Sequence, residues 1–141
     1  MRPGVLTAVR LLTAAATAAA TAGTGFVHAD LYVDGGYRVI PIIGPAFLVL
    51  SSGAFAVAAL LLAGSSPVLR LGAVGVAAGA LGGFIMSRTV GVAGFTEHGL
   101  QPAPQALISL ITEIAALALV VAWEVMLRRP RAVSALAAAS S

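Results

Sequence analysis

Four stretches of this chain, at about 5–27, 39–63, 68–87 and 105–127, run for twenty or more residues dominated by Ala, Gly, Val, Leu and Ile. That is the length a helix rising about 1.5 Å per residue needs to cross roughly 30 Å of hydrocarbon. Inside a bilayer no water satisfies backbone N–H and C=O groups, so each stretch has to be helical, and four strands are too few to close a barrel. The expected fold is therefore all-α, an integral membrane four-helix bundle. Composition points the same way. A chain that is 60% hydrophobic and 9% charged, with mean hydropathy +1.03, has too little polar surface to cover a soluble globule. The expected organisation is one transmembrane domain over 1–131 and a disordered cytoplasmic tail over 132–141.

Breaks in the apolar pattern mark the turns. Gly64-Ser65-Ser66-Pro67 reads as a tight turn between the second and third spans, and Pro102 and Pro104 introduce the fourth. Pro45 falls in the first turns of the second span, where a missing N–H costs least. An N-in, C-in arrangement puts Arg2, Arg10, Arg70, Arg128, Arg129 and Arg131 on or near the cytoplasmic side and leaves Arg38 and Arg88 outside. This positive-inside bias predicts a multi-pass protein of the cell membrane with both termini cytoplasmic. A second reading of the N-terminus is a secretory signal, with Val27-His28-Ala29 as a small-residue cleavage site before Asp30. The apolar run is longer than a typical signal core, which favours an uncleaved helix. Arginines in this pattern suit a membrane surface rather than nucleic acid, so the expected partners are the lipid bilayer and a homo-oligomer or larger membrane protein.

In the third span Gly75, Gly79 and Gly83 recur at four-residue intervals, forming one face on which another backbone can approach closely. The first span offers a small face of Ala14, Ala18 and Ala22, with Thr13, Thr17, Thr21 and Thr24 able to bond back to its own carbonyls. A helix 1 to helix 3 contact is the economical expectation, and a homodimer seam is the alternative.

Groups able to do chemistry gather on the outer side. Every His and Tyr falls in the expected outer loops, with three of the five acids. His28, Asp30, Glu97 and His98 are oxygen and imidazole donors that could bind zinc or copper(II) if the loops meet, and two histidines could ligate a haem. With no cysteine there is no thiolate site. Tyr32 and Tyr37 read as headgroup-level aromatics, and Trp123 as an anchor at the inner boundary. Within the fourth span stand Glu113, roughly 12 Å along the axis, and Glu124 close to three turns further on the same face. A carboxylate in hydrocarbon costs several kcal/mol unless it is paired, so each needs a partner or a proton. Arg10 is the expected partner of Glu124, and Arg88 that of Glu113.

The stretch Phe84-Ile85-Met86-Ser87-Arg88-Thr89-Val90-Gly91, followed by a Pro-containing loop and a helix carrying Ser109 and Glu113, resembles an uncharacterised actinobacterial family of small four-helix integral membrane proteins. Those proteins read Ser-Arg-Thr-x-Gly-Leu-Pro; this chain has Val92-Ala93 in place of Leu-Pro. The likeness covers about the last half of the chain. It implies the four-helix architecture and singles out Arg88 and Glu113, and it implies no substrate or cofactor.

The phosphate-binding, zincin, serine-hydrolase and dinucleotide motifs are absent, which points away from an enzyme. Three readings remain: a structural or accessory membrane protein, a transport or sensing subunit using Glu113 with Arg88, and an outer-face metal or haem binder through His28 and His98.

Overall fold

The computed structural model describes residues 3–64 and 66–139, with side chains over 4–64 and 66–128. Four helices follow one another: α1 Pro3–Val33, α2 Ile43–Ala63, α3 Pro67–Thr89 and α4 Gln105–Ala139, with a short 3-10 turn at Tyr37–Val39. Each is long and apolar enough to cross a membrane. Many large apolar side chains point outward, among them Leu12, Phe26, Val49, Leu62 and Leu71. Such a surface is compatible with a multi-pass membrane protein, whose exterior meets lipid. The described residues contain no strand, only one isolated bridge between Val92 and Phe95.

The helices start and stop for local reasons. Ser66 caps α3 by accepting from the Leu69 N–H at 3.3 Å, and Pro67 takes the first helical position. α1 runs six residues past its expected end, because nothing between Val27 and Val33 breaks a helix; His28, Asp30 and Tyr32 are consequently helical rather than loop residues. α2 starts at Ile43, later than expected, since Pro41 cannot donate within a helix and the 3-10 turn precedes it. α4 continues as helix through Ala139, past its expected end at 127 and over the stretch expected as a disordered tail, where Ala-rich sequence carries high helix propensity. Arg2 and the side chains of Arg129 and Arg131, on which part of the orientation argument rests, lie outside the described residues.

α1 packs chiefly on α2 and α4, and α3 sits diagonally opposite with only light contact to it. The expected helix 1 to helix 3 seam is thereby corrected. Ala14 and Ala18 are buried, but in a cluster with Ala58 and Leu61 of α2, Ala73 of α3, and Val120 and Trp123 of α4. Between helices the closest glycine contacts are made from α1: a Cβ at Gly23 would lie 2.8 Å from Thr112 Cγ2, and one at Gly25 3.0 Å from Ala54 Cβ. Thr13, Thr17, Thr21 and Thr24 do return their hydroxyls to the carbonyls four residues back. Thr24 also meets Thr112 across the α1–α4 contact at 3.1 Å. In lipid such small-residue packing and interhelical hydrogen bonds carry association, because apolar burial gains little there.

α2 and α3 touch near their connecting turn and then part. A Cβ at Gly72 would be 3.1 Å from Val57 Cγ2, whereas Gly75, Gly79, Gly82 and Gly83 have no neighbour within 4 Å of that position. The expected glycine face is therefore not an internal seam. The gap it leaves opens toward the loop end of the bundle.

Candidate functional site

The gap between the diverging ends of α2 and α3 is a cavity of about 260 Å³. Its walls are largely apolar. Ile43, Ala46, Phe47 and Leu50 come from α2, Gly79, Ala80, Gly83 and Phe84 from α3, and Leu31 and Ala106 from α1 and α4. Ala46, Gly79 and Gly83 are exposed, so the cavity reaches the lateral surface of the bundle between α2 and α3. Small side chains make this opening; a larger residue at the glycines would fill it.

Glu113 of α4 lines the cavity and is 1% exposed. The Ser109 hydroxyl, one turn earlier, donates to its Oε1, while Oε2 is buried with no hydrogen-bond partner. Leaving a buried polar atom unpaired costs about 1–3 kcal/mol, more if it is charged, so the exception calls for an explanation. The expected Arg88–Glu113 pair is not formed. Arg88 Nη1 instead meets Glu97 Oε2 at 3.0 Å, its Nε donates to the Gly99 carbonyl at 2.7 Å, and Nη2 donates to the Gln101 carbonyl. Nη1 also donates to Ser87 Oγ at 2.8 Å. Arg88 stands at the last turn of α3 and the loop that follows folds straight back over it, so nearby carbonyls take its donors before it can reach down the bundle.

That loop turns at Ala93 and Gly94, both at positive φ (52° and 84°), between the mutually bonded Val92 and Phe95. The geometry is that of a tight two-residue hairpin turn. Glu97 is then held by its own N–H donating to the Ser87 carbonyl at 2.9 Å. Above the cavity the Tyr37 hydroxyl donates to Glu97 Oε1. The Tyr37 ring stacks on Phe47 at 5.0 Å and meets Phe95 edge-on at 5.8 Å. Tyr37 is thus a buried lid residue and not a headgroup aromatic. Burial, and then the hydrogen bond and charge of Glu97, raise its phenol well above the ordinary 10.0, with Arg88 opposing.

His28 also lines the cavity, its Nδ1 2.9 Å from the Thr24 carbonyl and its ring edge-on to Phe47 at 4.8 Å. The four expected metal donors do not meet. Asp30 accepts from Gln105 Nε2 at 3.2 Å, Glu97 is taken by Tyr37 and Arg88, and His98 is exposed. Among the described residues no three His, Cys, Asp or Glu side chains gather as a metal site.

At the other end of the bundle Arg70 of α3, not Arg10, pairs with Glu124, Nε to Oε1 at 2.6 Å. The Arg70 guanidinium lies 5.4 Å from the Trp123 ring centre. Trp123, at 2% exposure, is core and not an interfacial anchor. Arg10 lies exposed beside Leu61, Leu62 and Gly64 at the end of α2.

The sequence thus named Glu113, Arg88, Glu97 and His28, and the structure gathers all four around one cavity. Tyr37, Phe47 and Ser87 were missed. The Ser109–Glu113 spacing of one helical turn was the legible signal for the carboxyl's hydroxyl partner. Compared with protein-family models, curated proteins and solved structures, the chain has no match.

Proposed function

We propose that this chain is a transport or sensing subunit of the cell membrane, N- and C-termini cytoplasmic, that binds a small ligand beside Glu113. The observation that carries the reading is the buried carboxyl oxygen Oε2, unpartnered at the wall of a cavity. A carboxyl serving only to lock helices would have its ion pair, as Glu124 has with Arg70. The arginine bias supports this orientation, in which the cavity stands in the outer half. The resemblance carried by Ser87, Arg88, Ser109 and Glu113 concerns residues that all line this cavity.

The test is membrane abundance and helical folding of Glu113→Gln and Glu113→Ala beside Arg88→Gln, with labelling of the wild type by the hydrophobic dicyclohexylcarbodiimide. The expected result is that Glu113→Gln folds normally, Arg88→Gln does not, and Glu113 is the labelled carboxyl. Loss of folded Glu113→Gln together with an unreactive Glu113 would overturn the reading.

The accessory reading retains one observation of its own, the bare α3 face at Gly75 and Gly79. It expects Gly75→Leu to lower the oligomeric mass in detergent.

A further inference from the structure

Resting on the reading of Glu113 as a ligand-binding carboxyl, we infer that the ligand is a hydrophobic organic cation, an ammonium group on an apolar body, that reaches the cavity from the side between α2 and α3.

Charge around the cavity selects the sign. Arg88 and Glu97 neutralise one another at 3.0 Å, and the remaining Arg88 donors are taken by the Gly99 and Gln101 carbonyls and Ser87. Among the cavity-lining residues Arg88 is the sole Lys or Arg, and the other basic side chain, His28, turns its Nδ1 to the Thr24 carbonyl, so Glu113 is a carboxyl with no cationic partner. An anion would be repelled there. A cation supplies what Glu113 lacks, a charge-assisted partner in a low-dielectric setting. A small metal ion fits poorly, since Ser109 is the only oxygen donor beside this carboxylate in the hydrogen-bond pattern and no metal-ligand group forms among the described residues.

The walls select the rest of the molecule. Phe47, Tyr37 and Phe95 border the cavity, and aromatic rings attract cations as well as apolar groups; Phe84 borders it too, with the Arg88 guanidinium over its ring at 3.5 Å. About 260 Å³ is several times the roughly 30 Å³ that one water occupies in the liquid, so the site is too large for a bare ammonium ion and suits one bearing an aromatic or branched group.

The route follows from small residues and bonds. At the loop end Tyr37, Glu97 and Arg88 are tied together across the cavity. Toward lipid, Gly79 and Gly83 are exposed, and nothing lies within 4 Å of where their Cβ atoms would be. A hydrophobic cation concentrates in the bilayer interface, which makes the lateral gap the natural approach. An amine lipid headgroup and a free organic amine share this chemistry.

The experiment is equilibrium dialysis of radiolabelled benzylammonium, whose N–H groups can donate to the free carboxyl oxygen, against the full chain in uncharged maltoside micelles. The expected result is saturable binding of about one probe per chain, unaffected by ethylbenzene, which has the same shape without the charge or the N–H donors. Glu113→Gln should weaken it roughly tenfold or more, as loss of a charge-assisted contact does. Gly83→Leu, whose Cβ meets no protein atom and whose longer side chain occupies the gap, should weaken it with folding intact. Displacement of the probe by phosphatidylethanolamine would identify a lipid amine as the source, and its failure to displace would identify a free organic cation. No saturable binding, equal competition by ethylbenzene, or unchanged binding in both variants overturns the inference. If that occurs while Glu113→Gln folds and Glu113 still reacts with carbodiimide, the ligand-binding reading of Glu113 stands and only the ligand class is wrong.

Discussion

Glu124 and Glu113 stand on the same face of α4 about three turns apart, and the bundle treats them in opposite ways. Around Glu124 the helices close: Arg70 reaches across from α3, Trp123 packs beneath the guanidinium, and Ala14, Ala18, Ala58 and Ala73 fill the centre. Around Glu113 they part: Arg88 turns away to its own loop, and glycines and aromatic rings border open space. The difference teaches that a carboxyl in a span is structural or functional according to what the opposite helix offers at its level. The helix face is common to both.

If the closed end is the structural half, Arg70→Ala should give the largest loss. Removing one partner of a buried, stacked pair leaves Glu124 unpaired, and the expected destabilisation is about 2–3 kcal/mol, below the full cost of breaking a buried pair because Glu124 is partly exposed. Thermal unfolding followed by helical circular dichroism in detergent measures it; a loss no greater than that of Glu113→Gln would abolish the contrast. Ala73→Leu comes next, since extra methylenes at a position with no free surface cost about 1–3 kcal/mol. Gly83→Ala, by contrast, should stay within about 0.5 kcal/mol, because its new methyl meets nothing and Ala is the better helix former.

The lid gives an effect of intermediate size with a pH signature. Tyr37→Phe removes the bond to Glu97 and should cost about 1 kcal/mol near neutrality. The folded phenol keeps its proton above the ordinary 10.0 while the unfolded one releases it there. Above that pH the folded state binds more protons than the unfolded, so wild-type stability falls as pH rises past 10. The same decline should be shallower in Tyr37→Phe, and parallel declines would remove Tyr37 from the lid. Glu113→Gln should also change stability little, by under about 1 kcal/mol, since Ser109 still has an acceptor and no ion pair is lost.

Much of this was readable in the chain. Twenty-residue apolar runs leave a backbone in lipid no choice but helix, so the four spans, the Ser66-Pro67 start of α3 and the back-bonding threonines follow from local rules. Glu113 stood out because its cost in hydrocarbon is local too. The pairings were not readable. Arg10 and Arg70 are both arginines near the same end, and only helix rotation decides which one faces Glu124. Gly75, Gly79 and Gly83 have the spacing of a packing face and meet nothing, while Gly23 and Gly25, two residues apart, meet Thr112 and Ala54 on different helices, because spacing specifies a face without saying what stands opposite it.

From the chain alone follow four helices, each long and apolar enough to cross a membrane, and the residues that would be expensive to place in hydrocarbon, since these depend on each segment's own transfer and hydrogen-bonding energies. Tertiary structure alone decided that α1 packs on α2 and α4, that Arg88 is consumed by its own loop, and that α2 and α3 diverge to leave Glu113 beside a cavity. Those outcomes depend on which side chains meet at 3–5 Å across helices distant in sequence, and no single segment carries that distance.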